Sequence, residues 1–271
     1  MDLLQACRKY APLVHCITNY VTVNDCANVI IASGGRPLMA DEITEMTEIA
    51  QKAEVLVINI GTLNQRTFTA SLAAGKAMRQ YGKMVLLDPV GIGVSTFRQK
   101  AVQEILTTVK PQVIRGNFSE ILTLISGQQH GSGVDMAQTD QMTQATQDSL
   151  IAQMQDFCQQ SDCVLIASGP EDLIVNSQQA YLVQNGHALM KDVTGTGCQL
   201  SALIGALLGA GQDWTKTCLT ATCMWGLAGE KAAKKITVGD GNASYRNYLI
   251  DAVYQMTDKE VKEGANYVKL R

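Results

Sequence analysis

The sequence predicts a three-layer α/β/α fold with a mainly parallel central sheet, helices on both faces and an antiparallel edge. Three observations carry this. Short apolar runs alternate with helical patterns between residues 54 and 168, as in parallel strands joined by crossover helices. After residue 172 come strand-like pieces joined by short turns, which suit antiparallel neighbours. Finally, 46% of the residues are hydrophobic but only 5% aromatic, so the core must be built from Ala, Val, Ile, Leu and Met, as where helices pack on a buried sheet. Its 271 residues fit one domain, 1–271.

The elements follow in order. EVLVINI (54–60) is a buried strand by its length and β-branching. Ala70, Ala73, Ala74, Ala77 and Met78 form the apolar stripe of a helix that stops at Gly82. KMVLLD (83–88) is the next strand, followed by a helical stretch to about Lys110 and the strand QVIR (112–115). A helix begins at Asn117, QQHGSGVDMAQTDQ (128–141) reads as a mobile loop, and a Gln-rich helix leads to the strand DCVLIAS (162–168). DLIVNS, QQAYLVQ and HALMK (172–191) are strand-like, with Asn185-Gly186 as a hairpin signal. From Cys198 onward the chain reads as almost wholly helical, near 198–209, 213–235 and 244–256, with Gly-rich breaks at 209–211 and 239–241.

A net charge of −3 with scattered Lys and Arg provides no field for a polyanion, which disfavours a nucleic-acid partner. No apolar run reaches the ~20 residues of a membrane span. The start MDLLQACRKYAPLVHC carries Asp2, Arg8 and Lys9, unlike a secretory signal, so a cytoplasmic location is expected. Eight cysteines without a CxxC pair, and the dispersed His15, His130 and His187, argue against a zinc site or a disulfide framework. Most of the thiols are expected to be small buried hydrophobes.

Ligands of parallel α/β folds sit beyond the carboxyl ends of the strands, and four stretches there can carry chemistry. In MVLLDPVGIG, Asp88 closes an apolar strand and faces the ligand crevice, where it suits a hard cation; Asp88-Pro89 is also an ordinary turn. In VIRGNFSE, Arg115 ends a strand and Asn117 and Glu120 stand at a helix entrance. NxxE is a capping arrangement in its own right, but with Arg115 and Asp88 it also suits phosphates and magnesium. In LIASGPEDL, Ser168 and Gly169 let a phosphate or flat ligand approach the backbone, or simply form a turn. Fourth, TGTGC (194–198) places Gly195, Gly197 and Cys198 where a long apolar helix begins. Amides at a helix amino end bind anions, and glycines let a phosphate lie against them; the alternative is a tight turn. The loop matches neither GxxxxGK[ST] nor GxGxxG.

Taken with HCITNYVTVN (15–24), GGRPLMADEITEM (34–46), INIGTL (58–63), LDPVGIG (87–93), VIRGNFSEI (113–121), IASGPEDLI (166–174) and VTGTGCQLSALIGA (193–206), the chain resembles the hydroxyethylthiazole kinases, the thiamine-salvage branch of the ribokinase-like superfamily. The resemblance implies ATP- and Mg²⁺-dependent phosphorylation of the hydroxyethyl group of 4-methyl-5-(2-hydroxyethyl)thiazole by a homotrimer with active sites between subunits. It implies that Met39 and Gly195 contact the thiazole with Asn19 in the same pocket, that Arg115 and Ser168 bind ATP, and that Asp88 and Glu120 serve the magnesium. Asn117 and Gly197 join the nucleotide side through the helix-entrance reading above. Relatives often have Thr where Ser168 stands, and the superfamily at large has an Asp base, in a GxGD pattern, where this chain has Cys198.

The lining of HCITNYVTVNDCANV, with hydroxyls, amides and apolar groups but no Lys or Arg, suits a neutral heteroaromatic alcohol; a helix cap at Thr22 or Asn24 is compatible with that. Cys198 is expected to accept the substrate proton or hydrogen-bond the hydroxyl, because a helix amino end can lower a thiol pKa, although bound ATP opposes the thiolate. Arg115→Ala is expected to weaken ATP binding with the fold intact. Rival readings are a cysteine hydrolase, for which no histidine lies in a partnering motif, a non-catalytic nucleotide sensor, and a hydroxymethylpyrimidine kinase, which the HCITNYVTVN and PLM segments disfavour.

Overall fold

The computed structural model describes residues 2–127 and 144–271; the loop expected at 128–141 lies outside the described residues. The strands are β1 (Leu13–Ile17), β2 (Arg36–Met39), β3 (Val55–Asn59), β4 (Met84–Asp88), β5 (Val113–Asn117), β6 (Val164–Ser168), β7 (Asp172–Val175), β8 (Ala180–Val183) and β9 (Tyr267–Lys269). They form one sheet in the order β2-β1-β3-β4-β5-β6-β7-β8-β9. The pairs from β2 through β6 are parallel, and those from β6 through β9 are antiparallel. The mainly parallel sheet with an antiparallel edge is therefore as expected.

Alternation along the strands shows that both faces are covered. Val55, Val57, Leu86 and Val113 join one apolar cluster, while Leu56, Ile58, Leu87 and Ile114 join another. The first is completed by helices α1 (Leu3–Tyr10), α2 (Val23–Ser33), α8 (Thr196–Leu208), α9 (Trp214–Lys235), α10 (Asn242–Gln255) and α11 (Asp258–Gly264). The second is completed by α3 (Met46–Lys52), α4 (Gln65–Gln80), α5 (Thr96–Thr108), α6 (Phe118–Ser126) and α7 (Gln144–Ser161). A strand buried on both faces reads as a continuous apolar run, which is why β3, β4 and β6 are so clear in the sequence.

Local chemistry sets the helix starts. Asn64 and Thr67 form a capping box at α4, as do Asn117 and Glu120 at α6, the NxxE arrangement read from the sequence. Helix α8 has every residue from Gln199 to Leu208 buried. Apolar on all sides, it is a core helix, and it holds its amino end in place against the sheet.

Two expectations are corrected. HALMK is not a strand: Ala188–Asp192 is a short 3₁₀ turn, with the His187 side chain accepting from the Leu189 amide. Asn185-Gly186 is not a hairpin turn either. The Asn185 side chain donates to Glu230 and to the Gly264 carbonyl and accepts from the Asn266 amide, which pins the chain to α9 and the carboxyl-terminal segment instead of reversing it. The hairpin lies between β7 and β8, where Asn176 Oδ1 accepts from the amides of Gln178 and Gln179. The region after Cys198 is almost wholly helical, as expected, and its one strand, β9, pairs with β8 in the place expected for HALMK. Strands β1 and β2 also escaped the sequence reading, because His15 interrupts the apolar run of the one and the other has four residues.

Candidate active site

The carboxyl ends of the parallel strands meet the amino end of α8. Register sets Asn59 opposite Asp88 and Asn117 opposite Ser168, so the apolar strands turn polar along one line, where open α/β sheets hold their ligands.

Cys198 lies in the first turn of α8. Its sulfur accepts from Asn19 Nδ2 and from Asn59 Nδ2, each at 3.3 Å. Asn59 Nδ2 also donates to Asp88 Oδ2 at 2.8 Å, and Ser201 Oγ donates to the same oxygen at 2.8 Å. The other oxygen, Asp88 Oδ1, is buried with no hydrogen-bond partner among the described residues. Burial pushes the Asp88 carboxyl up to about 6 and Glu120 adds to the rise, while Arg115 and the Ser201 and Asn59 bonds oppose it.

The thiol departs from expectation. Burial, followed by the charge of Asp88, raises the Cys198 pKa, and hydrogen bonds from Thr22, Asn19 and Asn59 only offset part of this. One helix end is worth about 0.3–1 kcal/mol, less than the cost of dehydrating a thiolate beside a carboxylate. Cys198 is the one cysteine of the eight that is only partly buried, so its thiol is largely dehydrated yet can still be reached.

Arg115 Nε donates to Ser168 Oγ at 3.1 Å, and Nη1 lies 3.9 Å from Asp88 Oδ2, the two side chains being 11% and 0% exposed. Arg115, Asn117, Ser168, Asp172, Thr196 and Gly197 line a cleft of about 850 Å³, faced by His187, Met190 and Trp225. Thus the four residues expected on the nucleotide side share one cleft. Asn19, Asp88 and Cys198 form the hydrogen-bonded group beside it.

The glycines have sharper reasons than access for a phosphate. Gly195 has φ +81°, and a Cβ there would lie 2.0 Å from Thr22 Cγ2. Thr22 in turn donates through both its amide and its hydroxyl to Asn19 Oδ1, each at 3.1 Å, so Gly195 is linked through Thr22 to the amide that touches the thiol. At Gly197 a Cβ would lie 2.4 Å from Arg115 Nη1; this glycine lets the guanidinium lie against the helix end.

Met39 ends the edge strand β2 beside Cys16 of β1 and is partly buried against the core that holds α8. The segment after it is anchored where His15 Nε2 meets the Ala40 carbonyl at 2.8 Å. Glu120 is committed to backbone: Oε1 accepts from Gly91 and Oε2 from Asn117, each at 2.8 Å. Sequence reasoning missed Asn59, Ser201 and Asp172. The signal for Asn59 was available, a polar residue closing an apolar strand. Ser201 sits inside an apolar helix, where nothing local marks it. Asp172 starts β7 and accepts from the Gly169 amide at 3.1 Å; desolvation raises its carboxyl to about 6 against that bond and Arg115.

The model of the hydroxyethylthiazole kinase family matches residues 4–259. The chain belongs to this family. A hydroxyethylthiazole kinase of Clostridium acetobutylicum is 42% identical over 98% of this chain and 98% of its own. The solved structure of the hydroxyethylthiazole kinase protein from Pyrococcus horikoshii OT3 is 29% identical, with a TM-score of 0.86 over 99% of this chain and 98% of that one. A ribokinase-like superfamily protein from Enterococcus faecalis V583, 15% identical, has a TM-score of 0.62 over 89% of this chain and 86% of its own; that likeness shows the ribokinase-like fold. Hydroxyethylthiazole kinase family membership covers the elements that build the site, from β1 through α8. No described helix is long and apolar enough to cross a membrane.

Proposed function

We propose that the chain transfers the γ-phosphoryl group of ATP to the hydroxyethyl hydroxyl of 4-methyl-5-(2-hydroxyethyl)thiazole. The observation that carries this is the amino end of α8, set between the cleft of Arg115 and Ser168 on one side and the Asn19–Asn59–Cys198 group on the other. The nucleotide occupies the cleft, its phosphates held by Arg115, Ser168, Asn117 and the amides around Gly197. The thiazole lies against Met39, Asn19 and Gly195. Phosphoryl transfer has a loose transition state and depends on alignment and charge, which the helix end and Arg115 supply.

A cation fits this site. Among the described residues Asp88 Oδ1 is a buried carboxylate oxygen without a partner, and no three His, Cys, Asp or Glu side chains are arranged to hold a metal by themselves. Such a site suits Mg²⁺, which is commonly bound by one or two carboxylates with substrate phosphates. Asp88 would hold it. Glu120, both of whose oxygens serve backbone amides, contributes mainly charge. Bound Mg²⁺ supplies neutralisation of the phosphate charge.

With its pKa raised, Cys198 is a neutral thiol at pH 7 and positions the hydroxyl by hydrogen bonding before any proton leaves. Cys198→Ala should lower turnover by roughly 10²-fold, and Cys198→Asp should keep or raise it; turnover unchanged in the Ala variant would remove the thiol from the reaction. The partners of the sulfur are amides, which favours this reading over a cysteine hydrolase. The test of the whole is a coupled ADP-release assay comparing the hydroxyethylthiazole with pyrimidine and sugar alcohols. Release with a pyrimidine alcohol alone, or with no alcohol, would overturn it.

A homotrimer with the thiazole pocket between subunits fits the exposed apolar Tyr20 and Val21 next to Asn19, 78% and 59% exposed. Light scattering should return three chain masses in solution, and a monomer mass would exclude that arrangement. The eight free cysteines support a reducing, cytoplasmic setting, and one continuous sheet supports residues 1–271 acting as a single kinase unit.

A further inference from the structure

Asn59 closes β3 and is 6% exposed. All four of its hydrogen-bonding positions are used: Nδ2 donates to Asp88 Oδ2 and Cys198 Sγ, and Oδ1 accepts from Asn19 Nδ2 at 3.0 Å and from the Gly61 amide at 2.9 Å. A backbone amide only donates, so Gly61 dictates which end of the side chain is oxygen and turns the NH₂ group toward both Asp88 and Cys198. The same reasoning orients Asn19, whose Oδ1 accepts from the Thr22 amide.

Two N–H groups, one from Asn19 and one from Asn59, therefore point at one sulfur, and the second hydrogen of the Asn59 NH₂ occupies Asp88 Oδ2. An amide NH₂ accepts no proton. Placed between a thiol and a carboxylate, it blocks the S–H···O⁻ bond that two such groups would otherwise form in a buried site, and the S–H is left to turn toward the open side. Asp88 Oδ1 has no hydrogen-bond partner among the described residues.

We propose that Asn59 is a positioning residue for phosphoryl transfer: it separates Cys198 from Asp88 and aims the thiol at the acceptor hydroxyl. The proposal rests on the kinase reading above and names the group that keeps its two functional side chains from pairing with each other.

The test is a double-mutant cycle with kcat and KM measured separately, plus an arm that needs no turnover. Asn59→Ala should lower kcat roughly 10- to 100-fold, the scale of a misplaced catalytic group, with the KM for ATP changed by less than about twofold. In a Cys198→Ala background the same substitution should cost less than about threefold, because no sulfur remains to be aimed. An equal loss in both backgrounds would overturn the proposal. In the second arm, iodoacetamide labelling of Cys198 is followed by mass spectrometry in the native protein, where the other seven thiols are buried. Labelling should change several-fold in Asn59→Ala, and an unchanged rate would overturn the proposal even if the wild-type chain phosphorylates no alcohol. Asn59→Ser, which keeps a small donor, replaces Asn59→Ala in both arms if the latter does not fold, with the same outcomes deciding.

Discussion

Arg115→Ala should lose ATP binding and also melt well below the wild type. The sequence led us to expect the first effect with the fold intact; the structure adds the second. Arg115 is the cation beside the fully buried Asp88, and its Nε supports Ser168. Removing one partner of a buried ion pair leaves the other uncompensated, at a cost of about 3 kcal/mol, a large part of the ~5–15 kcal/mol that holds a typical domain together. The loss has a pH signature. The folded pKa of Asp88 is raised to about 6 from an ordinary 3.8, so its burial is penalised increasingly as pH rises through that window and not at all below it. Loss of Arg115 raises the folded value further, so the Asp88 part of the difference between variant and wild type opens only above about pH 6. Asp172, also raised to about 6 with Arg115 opposing, acts in the same direction. Urea unfolding of metal-free protein at pH 5 and pH 8, beside calorimetric titration with ATP, measures both effects. Equal destabilisation at the two pH values would show that the guanidinium does not compensate these carboxylates.

Gly195→Ala should reduce turnover by about 10²–10³-fold, the range for losing oriented donors at a reacting group, while Gly197→Ala should act mainly on ATP. At Gly195 two costs coincide. Its φ of +81° strains any residue with a side chain, and the added Cβ would meet Thr22 Cγ2 at 2.0 Å. Thr22 cannot move without releasing Asn19, and Asn19 holds the sulfur of Cys198. At Gly197 the obstacle is the tip of the Arg115 side chain, so the guanidinium is displaced and the KM for ATP rises. Thr22→Ser, which removes the clashing methyl, should recover part of the Gly195→Ala loss but not the backbone strain. Steady-state kinetics of the two glycine variants and the double variant test this; equal effects of both glycines on kcat and on the ATP KM would refute the division.

Much of this was legible from residues. Strands β3, β4 and β6 declared themselves as apolar runs because both of their faces are covered. Asp88, Arg115 and Ser168 stood out because a polar residue closing such a run lies at the ligand end of a parallel sheet, and Asn117 with Glu120 spelled a helix cap that the structure contains. What was misread depended on partners far along the chain. Asn185-Gly186 has the composition of a hairpin, but Asn185 spends its hydrogen bonds on Glu230, Gly264 and Asn266. Three-residue β9 carries no period that distinguishes it from a loop.

The same division runs through the site. By itself the sequence determined the order of elements from β3 through β8, the polar strand ends and the glycine-rich start of α8, because these follow from local periodicity and from what a backbone without Cβ permits. Only the tertiary structure decided that Asn59 stands between Asp88 and Cys198, that Ser201 reaches Asp88 from inside an apolar helix, and that the thiol is held protonated by burial despite its place at a helix amino end. Those outcomes depend on distances between residues as far as 139 positions apart and on the exclusion of water among them, quantities that no local stretch of the chain encodes.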